Sequence, residues 1–172
     1  DMFKVRYSDG KVGNDNLGNT RFPFLYTIGS MGNGYNWGSN AYPNSYGSLA
    51  YTSISSANVT WEIAKKRDAG IDLSLFHNKF SLTMDYFHEK RTGIYMVRNY
   101  LPQIVGLQGL KPSANVGATK NEGFDGHFAY HDKIGQVDLT VRGNITYAKN
   151  TILEKDEENH TFPYQYERGR RV

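Results

Sequence analysis

The sequence predicts an all-β fold: an antiparallel, up-and-down segment of a transmembrane β-barrel, with about five long strands and long extracellular loops. Three observations support this prediction. Several stretches alternate apolar and polar residues, which places the apolar side chains on one face of each strand. The connections are alternately very short and very long, as in outer-membrane barrels. Tyr and Phe residues also mark the strand ends, where amphipathic rings suit the lipid headgroups.

We predict five strands, in chain order. The clearest hairpin has Ile71, Leu73 and Leu75 on one face of its first strand, and His77–Lys79 as its turn. Its second strand begins at Phe80, and a second short turn is expected at residues 131–134. The predicted strands cover residues 2–11, 59–76, 80–91, 121–130 and 136–147.

The remaining segments are rich in Gly, Asn, Ser, Tyr and Pro, a composition typical of loops. They cover residues 13–58, with a short hairpin expected around Gly47–Ser53, residues 92–119, and the chain from Asn150 onward. When the strands are traced up and down, both long loops between strands fall at one end and both short turns at the other. A soluble β-sandwich has no physical reason to sort its connections in this way.

Composition limits the classes of function. The 172 residues include no cysteine, so disulfides play no part, and the net charge of +3 is too small to indicate nucleic-acid binding. No run approaches the ~18 apolar residues of a transmembrane helix. Five strands cannot close a barrel, since the smallest bacterial barrels need about eight. The chain is therefore expected to be a piece of a larger wall.

Two sets of candidate site residues follow from the pattern. Charged residues on the polar faces are expected to face the barrel lumen: Lys4, Arg6, Asp72, Asp85, Asp125, Asp138 and Arg142. Aromatic residues in the two long loops are candidates for substrate binding, with loop packing as the alternative: Tyr35, Trp37, Tyr42, Tyr46, Tyr95 and Tyr100.

No metal site, cofactor or enzymatic activity is predicted. His127 and His131 have a spacing that binds zinc on a helix, but on a strand it separates them by ~13 Å. No nucleophile motif accompanies the Ser, His and Asp residues, and a Cys nucleophile is impossible.

Several linked motifs resemble the SusC/RagA family of TonB-dependent outer-membrane transporters, in order and spacing, from about Lys4 to the end of the chain. They are residues 6–14 (RYSDGKVGN), 60–62 (TWE) with Lys65 and Lys66, 70–76 (GIDLSLF), 85–87 (DYF), 90–92 (KRT), 115–117 (NVG), 121–124 (NEGF) and 166–172 (YERGRRV). Asp125 departs mildly from the family, which commonly has Glu there, and the carboxylate is retained.

The resemblance implies a 22-stranded barrel in the bacterial outer membrane, with an N-terminal plug, a TonB box and a SusD-like lipoprotein partner. Residues 1–172 would then be a partial barrel domain, without the plug, the TonB box or the remaining strands. The implied function is import of glycans or oligopeptides, energised through TonB. The alternative is a secreted soluble β-sandwich that binds carbohydrate, because alternation alone also fits a soluble sheet with one solvent-exposed face.

Overall fold

The computed structural model describes residues 1–18, 21–38, 44–100 and 110–172. Within these residues it contains seven strands and one 3-10 helix, Pro163–Gln165. The strands are β1 Met2–Asn14, β2 Thr27–Trp37, β3 Asn44–Ser53, β4 Glu62–Leu75, β5 Phe80–Val97, β6 Ser113–Ile134 and β7 Val137–Glu154.

Five strands form one antiparallel sheet in the order β1-β4-β5-β6-β7. The β2–β3 hairpin forms a separate two-stranded sheet within the connection from β1 to β4. The turn between β4 and β5 occupies residues 76–79, and His77 and Asn78 have φ values of 57° and 69°. Phe76 also has a positive φ of 57°, so three consecutive left-handed residues reverse the chain between the paired Leu75 and Phe80. The predicted all-β, up-and-down architecture is confirmed.

The strand bounds differ from the predicted ones at the ends. Residues 131–134 belong to β6, and the second short turn lies at residues 135–136, where Gly135 has a φ of 65°. The predicted loop 92–119 was too long at both ends, because β5 continues to Val97 and β6 begins at Ser113. β1 also continues to Asn14, β4 begins at Glu62 rather than 59, and β7 continues to Glu154.

Asn115 explains why β5 and β6 continue into a segment whose composition predicts a loop. Its amide Nδ2 donates to the carbonyls of Thr60 and Gly93, at 2.8 and 2.7 Å, and its Oδ1 accepts from the Thr60 N–H at 2.9 Å. Gly93, with a φ of 71°, absorbs a break in the β5–β6 register between Thr92 and Ile94. One side chain thus connects three segments and allows pairing to resume beyond the irregularity.

The apolar face of the sheet has no second layer among the described residues. The buried hydrophobic residues are two alanines, Ala64 and Ala118, at 7% and 3% exposure. Large side chains of this face stay open, with Phe3 at 67%, Tyr7 at 69% and Ile145 at 58% exposure. A β-sandwich would bury these rings between two sheets. The described residues therefore form one uncovered five-stranded sheet, and not the two packed sheets of the sandwich alternative.

The carboxylate of Asp156 fastens the loop that follows β5. It accepts a hydrogen bond from the Tyr100 N–H at 3.1 Å and lies 3.1 Å from Nε of Arg98. Burial opposes ionisation of this carboxyl, but the Tyr100 amide and the Arg98 guanidinium outweigh it and hold the pKa of Asp156 below its ordinary value. The contact is therefore complete above the carboxyl's unfolded pKa and is lost as pH falls through the lower folded one.

Replacing Asp156 with Ala should release residues 98–100. Hydrogen bonds to charged groups contribute ~1.5–3 kcal/mol, less where water reaches them, so we expect amide exchange in this segment to rise about five- to tenfold at neutral pH. Hydrogen-exchange mass spectrometry of the full-length protein measures this. Glu158→Ala is the matched control, since Glu158 is exposed. Equal protection of residues 98–100 in both variants would show that Asp156 does not fasten the loop.

Candidate functional site: a charged sheet face and an aromatic hairpin

All seven charged residues predicted to face the lumen lie on one face of the five-stranded sheet. Residues directly opposite each other in an antiparallel pair share a face, and the register pairs Lys4 with Asp72 and Asp85 with Asp125. Arg142 and Asp138 lie on the same face of β7, nearer the short turns. That this face borders the lumen stays a prediction.

Arg6 is the centre of the charged cluster on this face. Its Nε and Nη2 contact the two carboxylate oxygens of Asp72 at 3.0 and 3.1 Å, and its Nη2 also donates to Asp85 at 3.0 Å. One guanidinium on β1 therefore connects carboxylates on β4 and β5. Such forked, charge-assisted contacts fix geometry better than a single lysine ammonium does. Asp125 lies directly opposite Asp85 on β6, which extends the line of carboxylates.

Gly70 makes this cluster possible, and sequence reasoning did not identify it as a site residue. In the register, Gly70 on β4 lies between Arg6 on β1 and Asp85 on β5. A Cβ at position 70 would lie 2.1 Å from Oδ1 of Asp85 and 3.0 Å from Cζ of Arg6. Any larger residue would therefore push the two charged side chains apart.

A second charged cluster lies on the same face, towards the long connections. Arg91 contacts Glu62 at 3.1 Å and Glu89 at 2.7 Å, and Lys66 lies 3.5 Å from Glu89. Three of these four residues border an open cleft of about 350 Å³: Glu62, Glu89 and Arg91. The prediction missed this cluster because residues 89, 91 and 62 lie at or near the predicted strand ends. All four residues lie within the predicted strands, so alternation gives their face, but only the register between β4 and β5 shows that they meet.

The structure brings three of the candidate aromatic residues together on the β2–β3 hairpin. Tyr35 lies directly opposite Tyr46, and the rings of Tyr35 and Trp37 meet edge to face with centroids 4.8 Å apart. All three are more than 60% exposed. They were expected in a loop and lie on strands instead, because the hairpin is longer than predicted.

The other three aromatic candidates do not join this group. Tyr95 lies on β5, paired with Asn115, rather than in a loop. Tyr100 follows β5 and is held through its backbone by Asp156. Tyr42 lies outside the described residues.

The opposite face of the sheet is uncharged over three consecutive rows of cross-strand neighbours. The row nearest the long connections is largely aromatic, and the Phe124 and Tyr147 rings in it stack with centroids 5.8 Å apart. The next row outward is charged. The three uncharged rows are Phe3, Leu73, Leu82, Phe128 and Gly143; Val5, Ile71, Met84, Gly126 and Ile145; and Tyr7, Ala69, Tyr86, Phe124 and Tyr147.

The fold and the two contrasting faces define a wall of a membrane β-barrel, and comparison with known proteins identifies its family. The sequence matches the family described as "TonB dependent receptor-like, beta-barrel" over residues 6–169. The chain belongs to this family, whose members are transporters in the outer membrane of Gram-negative bacteria. The predicted family and cellular location are thereby confirmed.

Individual relatives agree. The chain is 26% identical over 171 residues to "TonB-dependent receptor P39" of Formosa agariphila, covering 98% of this chain and 15% of that protein. It is 31% identical over 103 residues to "TonB-dependent receptor P3" of the same organism, covering 59% and 10%. A structure of the RagAB peptide importer in its closed-closed state matches with a TM-score of 0.68 and 17% identity, covering 95% of this chain and 17% of that one.

The described residues contain no group of three or more His, Asp or Glu side chains that could hold a metal ion. They also contain no helix long and apolar enough to span a membrane.

Replacing Gly70 with Val should disrupt the Arg6 cluster, because the new Cβ would occupy the space between Arg6 and Asp85. We expect the full-length barrel to lose about 1–3 kcal/mol of stability, the usual range for overpacking. Differential scanning fluorimetry in detergent measures the loss. Gly10→Val is the matched control, since Gly10 lies on the same face of the sheet with open space around it. Comparable melting temperatures for the two variants would contradict the role of Gly70.

Proposed function

We propose that this chain is part of the barrel wall of a TonB-dependent importer that carries glycans or oligopeptides across the outer membrane. One observation supports this most strongly: one face of the five-stranded sheet is apolar and uncharged over three consecutive rows, the other face is charged, and there is no second layer among the described residues. Such a sheet fits a boundary between lipid and an aqueous lumen. The chain covers 15% and 10% of the two curated relatives, so transport is a proposal for the longer protein.

In this proposal the charged face borders the lumen and the plug. The Arg6 cluster keeps its carboxylates in a fixed position while leaving them open to water, with Asp72 and Asp85 side chains 22% and 25% exposed. Fixed, hydrated charges suit contacts with a plug domain or a polar solute, because they need little reorganisation. The second cluster, around Arg91, would have the same role nearer the outside.

The aromatic hairpin is proposed to contact substrate on the extracellular side. Exposed Tyr and Trp rings provide rigid, amphipathic surface for sugar faces and for peptide side chains alike. Similarity to the RagAB peptide importer supports oligopeptides as the substrate class. Because the identity is 17%, glycans remain the alternative substrate class. A SusD-like lipoprotein partner and energisation by TonB follow from the same resemblance.

An arginine at Leu82 should be far more damaging than one at Thr83. Leu82 lies in the middle of the apolar face and Thr83 is its neighbour on the charged face. At the bilayer midplane, Arg on the lipid side costs ~2–4 kcal/mol, and a lumenal Arg should cost much less. Urea titration of full-length barrels folding into lipid vesicles measures both. Equal costs for the two variants would contradict the assignment of faces.

Import itself can be tested in a strain whose only copy of the full-length transporter is supplied from a plasmid. We expect labelled oligopeptides or oligosaccharides to enter the periplasm, uptake to stop in a strain without TonB, and a SusD-like lipoprotein to co-purify.

The double variant Tyr35→Ala with Trp37→Ala should lower uptake about tenfold, since each stacked ring contributes ~1 kcal/mol or more. Phe162→Ala with Tyr164→Ala, a stacked aromatic pair elsewhere in the chain, is the control. TonB-independent uptake would contradict the proposal.

A further inference from the structure

We propose that a row of four lysines on the apolar side of the sheet binds the phosphate groups of lipid in the outer leaflet. The row consists of Lys11, Lys65, Lys90 and Lys120, and we call it the lysine row. This inference rests on the proposed function, because it assumes that the apolar face meets lipid.

Strand register places the four lysines side by side. Lys11 lies directly opposite Lys65, Lys65 opposite Lys90, and Lys90 opposite Lys120, on strands β1, β4, β5 and β6. Neighbouring strands are ~4.8 Å apart, so the row is about 14 Å long. The lysines share a face with Tyr7 and Tyr86, which lie four residues away along their strands.

The position of the lysine row corresponds to the headgroup layer. On β7 the side chains of the apolar face are uncharged from Val137 to Tyr147, a length of about 33 Å along the strand. At the usual strand tilt of ~40°, this length spans the ~25 Å apolar band of a barrel. The aromatic row that ends this band is the one nearest the long connections. The lysine row lies two positions beyond the first charged row, on the extracellular side of a barrel whose short turns face the periplasm.

The charges of the lysine row are not balanced within the described residues. The charged row between it and the aromatic row is close to neutral: Arg67 pairs with Asp9 at 2.9 Å, and Glu122 and Lys149 are of opposite sign. Lys120 pairs with Glu122 at 2.9 Å. Lys11, Lys65 and Lys90 are exposed and form no ion pair in the described part of the chain. Glu154, one row further out, is the next carboxylate on this face of β7.

Unbalanced lysines in direct opposition need a compensating anion. Like charges placed opposite each other destabilise a sheet, and here three such pairs follow in sequence across four strands. Phosphate groups concentrated at a membrane surface would convert this repulsion into attraction. The chemistry thus favours phosphate headgroups fixed in the leaflet over a protein partner, which would also need apolar contacts at this level.

The test measures which lipids the full-length transporter retains. Purified protein is exchanged into nanodiscs that contain equal phosphatidylglycerol and phosphatidylcholine, and the lipids retained after detergent extraction are counted by native mass spectrometry. We expect a preference for phosphatidylglycerol that falls at least tenfold in the triple variant Lys11→Gln, Lys65→Gln and Lys90→Gln. Arginine at the same three positions should keep the preference.

Two controls separate the lysine row from net charge and from folding. The variant Lys66→Gln, Lys79→Gln and Lys133→Gln removes the same charge from the opposite face and the turn end, and should retain lipid as the wild type does. Heat-modifiable migration on gels reports whether each barrel is folded. The double variant Lys65→Gln and Lys90→Gln repeats the test with fewer changes, and its preference for phosphatidylglycerol should fall about fivefold.

Three outcomes would overturn the proposal: an unchanged preference in the triple variant, an equal loss in the opposite-face control, or displacement of the lipid by 10 mM inorganic phosphate alone. Failure here is distinguishable from failure of the importer proposal. If Leu82→Arg and Thr83→Arg differ as expected and uptake needs TonB, the wall is correctly oriented and only the lipid site is wrong.

Discussion

The structure depends on what covers the apolar face of the five-stranded sheet. Removal of apolar surface from water is the dominant favourable term in folding, and here the described residues bury only two alanines as hydrophobic core. Rings such as Phe3 and Tyr7 stay open because none of the described elements lies over them. Lipid provides an apolar solvent for that face, and neighbouring strands of a closed barrel would satisfy the free backbone groups along β1 and β7. Membership of an outer-membrane barrel family agrees with both requirements.

Alternation along each strand lets one sheet meet two different solvents. Leu82 and Thr83 are adjacent in sequence and lie on opposite faces. The charged face also depends on a small residue: Gly70 leaves the space across which Arg6 reaches Asp85, so the network spans three strands without distorting the sheet. The fixed charges of one face and the apolar character of the other therefore have a common origin in strand geometry. This explains why substitutions at neighbouring positions are expected to have such different effects.

Sequence reasoning predicted the order of the long strands, and placed all seven charged candidates on what the register shows to be one face. It failed where pairing across strands outweighs local composition. Pro102, Gly106, Gly109 and Pro112 indicated a loop over 92–119, whereas Asn115 restores pairing beyond the bulge at Gly93. Register itself is not readable from one strand at a time, so the Arg91 cluster and the alignment of four lysines became visible only in three dimensions. Composition identified the aromatic residues Tyr35, Trp37 and Tyr46 as candidates. It did not predict that they share one face of a hairpin.

The most direct test of the account is the environment of each side chain along β7. Single cysteines at positions 137–147, in a cysteine-free background of the full-length protein, can carry spin labels whose collisions with oxygen and with a polar nickel chelate are measured in lipid vesicles. The account predicts a period of two, with oxygen dominant at Val137, Leu139, Val141, Gly143, Ile145 and Tyr147, and the nickel chelate dominant at the residues between them. Uniform exposure to the chelate, or the opposite phase, would contradict it.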